Sequence, residues 1–96
     1  MVVIVCYDIK TDSDGGATRL RKVAQRCERY GTRVQASVFE LEISPAELSS
    51  LRIDLDGIIK RDVDSVRIYR LGKNAKGKIT VLGRANRIEI GDSLIL

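Results

Sequence analysis

The sequence predicts an α+β domain in which two helices pack on one face of an antiparallel sheet. Three observations predict it. An unbroken apolar run opens the chain, two later stretches carry apolar residues at helical spacing, and extended, β-branched segments follow each of them. With 96 residues, 44% of them apolar and 31% charged, the chain makes one domain of ordinary globular composition.

The opening run, Val2, Val3, Ile4, Val5 and Cys6, reads as a central strand buried on both faces, and it closes in Tyr7-Asp8. The chain then turns polar through Lys10, Thr11, Asp12, Ser13, Asp14, Gly15 and Gly16. Leu20, Val23, Ala24 and Cys27 recur at i, i+3, i+4 and i+7, which predicts a helix over residues 18–30 with Thr18 as N-cap and Gly31 as its stop. Val34, Val38, Phe39, Leu41 and Ile43 favour extended chain. That segment is either a tight pair of strands, 32–36 and 37–43, or one long strand with a bulge at Ala36-Ser37, because no Asn-Gly or Gly-Gly pair marks a hairpin.

Ser44-Pro45-Ala46-Glu47 is a capping box with proline at the first helical position. It opens a second helix, to about Lys60, with Leu48, Leu51, Leu55, Ile58 and Ile59 as the buried stripe. Residues 63–71 alternate as a strand, 72–77 form a turn, 79–82 another strand and 87–90 a short last one. The order β-α-β-(β)-α-β is the split βαβ, or ferredoxin-like, plan. Residues 1–83 are expected to form that domain. Residues 84–96, with their aliphatic ending Leu94-Ile95-Leu96, are expected to pack on a dimer partner, and the sheet face left without a helix predicts a homodimer formed sheet to sheet.

The charge pattern points to a polyanionic partner. Net charge is +4, and residues 65–88 contain no acid against Arg67, Arg70, Lys73, Lys76, Lys78, Arg84 and Arg87. Arg19, Arg21, Lys22, Arg26, Arg29 and Arg33 form a second basic zone broken only by Glu28. The chain has no histidine, which excludes histidine-based triads, a histidine general base and His-x-x-x-His zinc sites. An enzyme of this composition works with carboxylates, hydroxyls or a hard metal ion. Cys6 and Cys27 fall on apolar faces without metal or redox spacing, as buried reduced thiols do. No apolar run approaches the roughly 20 residues of a membrane helix, and no leader segment precedes the first strand, so a cytoplasmic protein is expected.

Two motifs fail on context. Gly72 to Lys78 spells seven letters of a phosphate-binding loop, but Ile79 stands where a hydroxyl is needed and strand-like sequence follows where a helix is needed. Asp8, Asp12 and Asp14 lack the spacing of a calcium loop. An RNA-recognition sheet is disfavoured by an aromatic content of only three tyrosines and one phenylalanine. A lone strand-end aspartate such as Asp8 is ordinarily a turn residue. Its neighbours change that weighting.

The opening strand closing in Tyr7-Asp8, the string Gly31-x-Arg33-Val34-Gln35-x-Ser37-Val38-Phe39-Glu40 and the strand Arg67-Ile68-Tyr69 together resemble a small CRISPR-associated endonuclease family. It is the smaller of the two universal spacer-acquisition proteins, and the resemblance runs from Val2 to about Gly83. It implies a ferredoxin-like homodimer in which the two Asp8 carboxylates meet across the interface and bind Mg2+ or another divalent cation. It implies metal-dependent cleavage of RNA or double-stranded DNA, and a place in the complex that captures foreign DNA, bridging two dimers of an integrase subunit. By motif, Tyr7 flanks the metal site, Arg19, or in its place Arg21, and Arg33 would contact phosphate, and Ser37 and Phe39 line the same region. The alternative role is a non-catalytic DNA-binding scaffold. One carboxylate per chain is few for a catalytic Mg2+ site, and a two-fold dimer supplies the second.

Overall fold

A computed structural model describes residues 1–84. Its elements run β1 (Val2–Asp8), α1 (Gly16–Glu28), β2 (Gly31–Gln35), β3 (Val38–Glu42), α2 (Pro45–Ile58) and β4 (Ser65–Arg70), followed by a single 3-10 turn at Ala75–Lys78. The sheet order is β2-β3-β1-β4, every pairing is antiparallel, and β1 lies inside, as its β-branched run predicts.

Alternation divides the sheet. Val3, Val5 and Tyr7 point to one face and join Phe39, Leu41 and Ile43 beneath Val23, Ala24 and Cys27 of α1 and Leu48, Leu51 and Leu55 of α2. Val66 and Ile68 pack at the border of the same cluster. The opposite face carries Val2, Ile4 and Cys6, only half-buried, with Asp8 exposed at its end. In register, Ile4 lies between Glu40 and Tyr69, Cys6 between Val38 and Arg67, and Asp8 opposite Ser65. Both helices lie on one side of the sheet.

Several expectations are refined. The segment 31–42 is two strands joined by a tight turn at Ala36-Ser37, and an irregularity between Arg33 and Gln35 adds a bulge inside β2. Helix α1 starts at Gly16 rather than at residue 18, and Thr18 is not its cap. Gly15 takes a left-handed conformation, φ 75°, and the backbone supplies the capping: Gly16 N donates to Ser13 O at 3.0 Å and Arg19 N to Gly15 O at 2.9 Å. The capping box of α2 is present in both directions, Glu47 N to Ser44 Oγ at 3.1 Å and Ser44 N to Glu47 Oε1 at 2.9 Å.

Strand β4 starts at Ser65, because Val63 and Asp64 close a turn on Lys60 O at the end of α2. The strand expected at 79–82 does not form among the described residues. Asn74 takes a left-handed conformation, φ 58°, the chain makes one 3-10 turn, and residues 79–84 run without a ladder beside the open sheet face. There Ile79, Val81 and Leu82 border a groove of about 500 Å³ opposite Ile4, Val34 and Val38. The expected strand at 87–90 and the docking of Leu94-Ile95-Leu96, with most of the proposed 84–96 extension, lie outside the described residues.

Candidate active site

Asp8 is the last residue of the central strand, exposed, on the helix-free face. Among the described residues no hydrogen bond or ion pair engages its carboxylate. The strand next to it is held on both sides, so a rigid base presents an uncommitted carboxylate at the sheet rim. Its cross-strand partner Ser65 adds a hydroxyl at the same rim. Arg67, two pairs further along β4 and opposite Cys6, is the cation that the register places nearest to Asp8 on that face among the described residues. Among the described residues no group of three or more carboxylate or thiol side chains could hold a metal ion. Asp8 is a hard oxygen donor of the kind divalent cations take.

The neighbouring residue points the other way. Tyr7 is buried, and its ring stacks on Phe39 with centroids 6.2 Å apart. Its hydroxyl is buried with no hydrogen-bond partner among the described residues, and burial pushes its pKa up, against the lowering effect of Arg33. The Arg33 guanidinium lies 5.3 Å from the Phe39 ring centroid. Tyr7, Phe39 and Arg33 thus make a column that ends in an exposed cation. Arg33 also reaches Glu28 at 3.5 Å, but both side chains are about half exposed. Such a pair is worth at most about 1 kcal/mol, so Arg33 is readily released to a phosphate.

Ser37 belongs to the turn that lets β2 fold back on β3, and its carbonyl accepts Tyr7 N at 3.1 Å. Tyr7, Arg21, Glu28, Arg33 and Ser37 border one groove of about 540 Å³. The structure therefore brings Tyr7, Arg21, Arg33 and Ser37 together with Phe39 beneath them, on the helix side of the rim from which Asp8 projects outward.

Arg19 is placed elsewhere. It lies four and eight residues before the buried Val23 and Cys27, so it shares their inward face of α1, and it is only 8% exposed. Its Nε donates to Asp64 Oδ2 at 2.7 Å and Nη2 to Asp64 Oδ1 at 3.4 Å. Arg19 is thus committed inside the fold, whereas Arg21 is exposed at the groove. Asp64 was not singled out in the sequence, and no motif or periodicity marks it among Asp54, Asp56 and Asp62. The basic turn after β4 behaves as its context requires. It has no helix for a phosphate to cap, and Lys78 Nζ donates to Leu71 O at 2.7 Å.

Known proteins resemble the chain in sequence and in fold. Residues 1–79 match the family described as CRISPR associated protein Cas2. The chain is 47% identical over 95 residues to the CRISPR-associated endonuclease Cas2 of Halalkalibacterium halodurans, covering 99% of each. It is 41% identical over 95 residues to a CRISPR-associated endoribonuclease Cas2 of Rhodospirillum rubrum, covering 99% of this chain and 100% of that one. Its fold is similar to the crystal structure of Streptococcus pyogenes Cas2, with a TM-score of 0.77 and 46% identity over 86% of this chain and 100% of that chain.

Proposed function

The chain belongs to the CRISPR associated protein Cas2 family, and on that premise we propose that it is a metal-dependent endonuclease of CRISPR spacer acquisition. Its substrate is the phosphodiester backbone of RNA or double-stranded DNA. The observation that carries the reading is Asp8: an exposed carboxylate at the end of a central strand, engaged by no partner and covered by no helix among the described residues. The names of the relatives, endonuclease and endoribonuclease, support the reaction class.

Asp8 is the residue that holds the cation, together with Asp8 of a second copy related by a two-fold axis through the open face. When bound, a divalent cation polarises the phosphoryl oxygen and lowers the pKa of attacking water. The chain's own residues do the rest. Arg33, steadied over Phe39, and Arg21 border one groove and bind backbone phosphates there. The half-exposed Ser37 lies at the groove wall between them and the strand end. Carboxylate repulsion between the paired Asp8 residues is offset by the cation they share.

A second reading rests on a separate observation. From Ser65 to Arg84 every charged side chain is basic, and Arg67, Arg70, Lys73, Lys76 and Arg84 are exposed. That stretch suits a duplex-binding scaffold bridging integrase subunits, whether or not Asp8 cleaves.

Labelled single-stranded RNA and duplex DNA, incubated with Mg2+ or with chelator, test the proposal alongside Asp8→Asn. Cleavage should need the cation and fall by roughly 100-fold or more in the variant, since such a cation supplies several kcal/mol to the transition state. Binding of the uncleaved strand in chelator should change little. Equal cleavage by both proteins would overturn the assignment. Binding without cleavage by either would favour the scaffold.

A further inference from the structure

Asp64 ties together the chain segments around Asp8. It directly precedes Ser65, the residue paired with Asp8, and its side chain is fully buried. One oxygen accepts Lys10 N at 3.0 Å, two residues after Asp8, and the other accepts Lys60 N at 2.9 Å, at the exit of α2. Both oxygens also receive the Arg19 fork. The rest of that guanidinium holds the loop after Asp8. Nη1 donates to Asp14 O at 2.7 Å, and Nη2 to Ser13 Oγ at 2.7 Å and to Lys10 O at 3.4 Å. Ser13 Oγ closes the ring by donating to Lys10 O at 2.6 Å. The loop is pressed so closely on α1 that a Cβ at Gly16 would stand 2.3 Å from Lys10 O.

Burying an ion pair is a poor way to add stability, because well-packed apolar residues generally do as well. What this pair does provide is direction. Its hydrogen bonds reach the loop after Asp8 at Lys10, Ser13 and Asp14 and the exit of α2 at Lys60, a short stretch before Ser65, and Arg19 itself carries them to the first turn of α1. We propose that Asp64 and Arg19 are positioning residues for the Asp8 site, fixing the rim and the 10–15 loop against α1, and that Arg19 does not bind phosphate. The inference rests on reading Asp8 as the reacting centre and goes beyond it to the residues that hold it.

Three variants separate this clamp from a phosphate contact and from a purely structural pair. Asp64→Asn keeps the shape, Arg19→Lys keeps the buried charge without the fork, and the double variant Arg19→Gln/Asp64→Asn leaves no charge buried alone. In chelator, the slope of log binding constant against log salt should fall by about one for Arg21→Gln and stay unchanged for the double variant. In Mg2+, Asp64→Asn and Arg19→Lys should lower kcat by about 10- to 100-fold with KM within about 3-fold, as misplacement without lost binding does. In metal-free protein of native circular dichroism, the amide of Lys10 should exchange faster in Asp64→Asn. A salt slope that drops by one in the double variant would make Arg19 a phosphate contact and overturn the proposal, as would wild-type kcat in both single variants. An inactive wild-type chain would overturn the nuclease reading instead, while the salt slope and the exchange rate still decide between clamp and contact.

Discussion

The Asp64 carboxyl is held well below the usual carboxylate range, at about 2, because Arg19 donates to it first and the amides of Lys60 and Lys10 add to that, against the opposing effect of burial. An unfolded chain titrates this group near 4. The unfolded state therefore binds more protons between those values, so the stability Asp64 contributes is complete above about pH 4 and is lost as pH falls toward 2. In thermal melts from pH 7 to pH 2, Asp64→Asn should show a flatter acid limb than the wild type; parallel curves would show that Asp64 is not the group being titrated. Cys27 is perturbed for the opposite reason, since burial pushes its thiol up to about 12. At this scale the sequence was legible where a motif carries the residue. Asp8, Arg19 and Arg33 are all marked through the resemblance to a known family, not by their own chemistry. The burial of Arg19 was not legible, because a stripe counted in apolar residues misses a charged side chain whose partner is 45 positions away. Asp64 stayed unmarked for the same reason: its meaning lies in three segments that only folding brings together.

Elements were legible in proportion to how local their cause is. The start of α2 could be read to the residue, because a capping box and a first-turn proline act within four positions. The bend between β2 and β3 could be narrowed only to two forms, since its cause is a contact across strands. A Cβ at Gly31 would stand 2.0 Å from Glu40 O and 2.7 Å from Leu41 Cα, so β2 can lie against β3 only with glycine there. Gly31→Ala should accordingly force β2 away from β3 and destabilise the fold by about 1–3 kcal/mol in denaturant titrations, the usual cost of overpacking. Arg33 sits two residues on and would move with the strand, so nucleic-acid affinity should fall as well. Unchanged stability would mean that the approach of the two strands is looser than this. The strand expected at 79–82 shows the limit of pattern reading. Ile79, Val81 and Leu82 have strand-forming side chains, but Val81 and Leu82 are 61% and 89% exposed and make no ladder in the single chain.

For the whole molecule, the two faces of the sheet are unequal. One is sealed by α1 and α2, and the other leaves Val2, Ile4, Cys6 and Val38 half-buried beside the exposed Tyr69. Each chain brings the Asp8 carboxylate to the rim of that open face. A two-fold pairing of open faces would cover the apolar residues and bring a second Asp8 to the first, so association and chemistry would depend on one contact. Subunit mixing tests whether they do. Wild-type and Asp8→Asn chains, denatured together in equal amounts and refolded, should form homodimers and mixed dimers in a ratio of about 1:2:1, leaving about half of the wild-type chains with a variant partner. If both carboxylates serve one cation, cleavage per wild-type chain should fall to about half that of wild type refolded alone. If each Asp8 works alone, it should not change. Sedimentation across a concentration series on the same samples shows whether dimers form at all. A monomer that still cleaves would detach the chemistry from the open face and leave the apolar residues there to another partner.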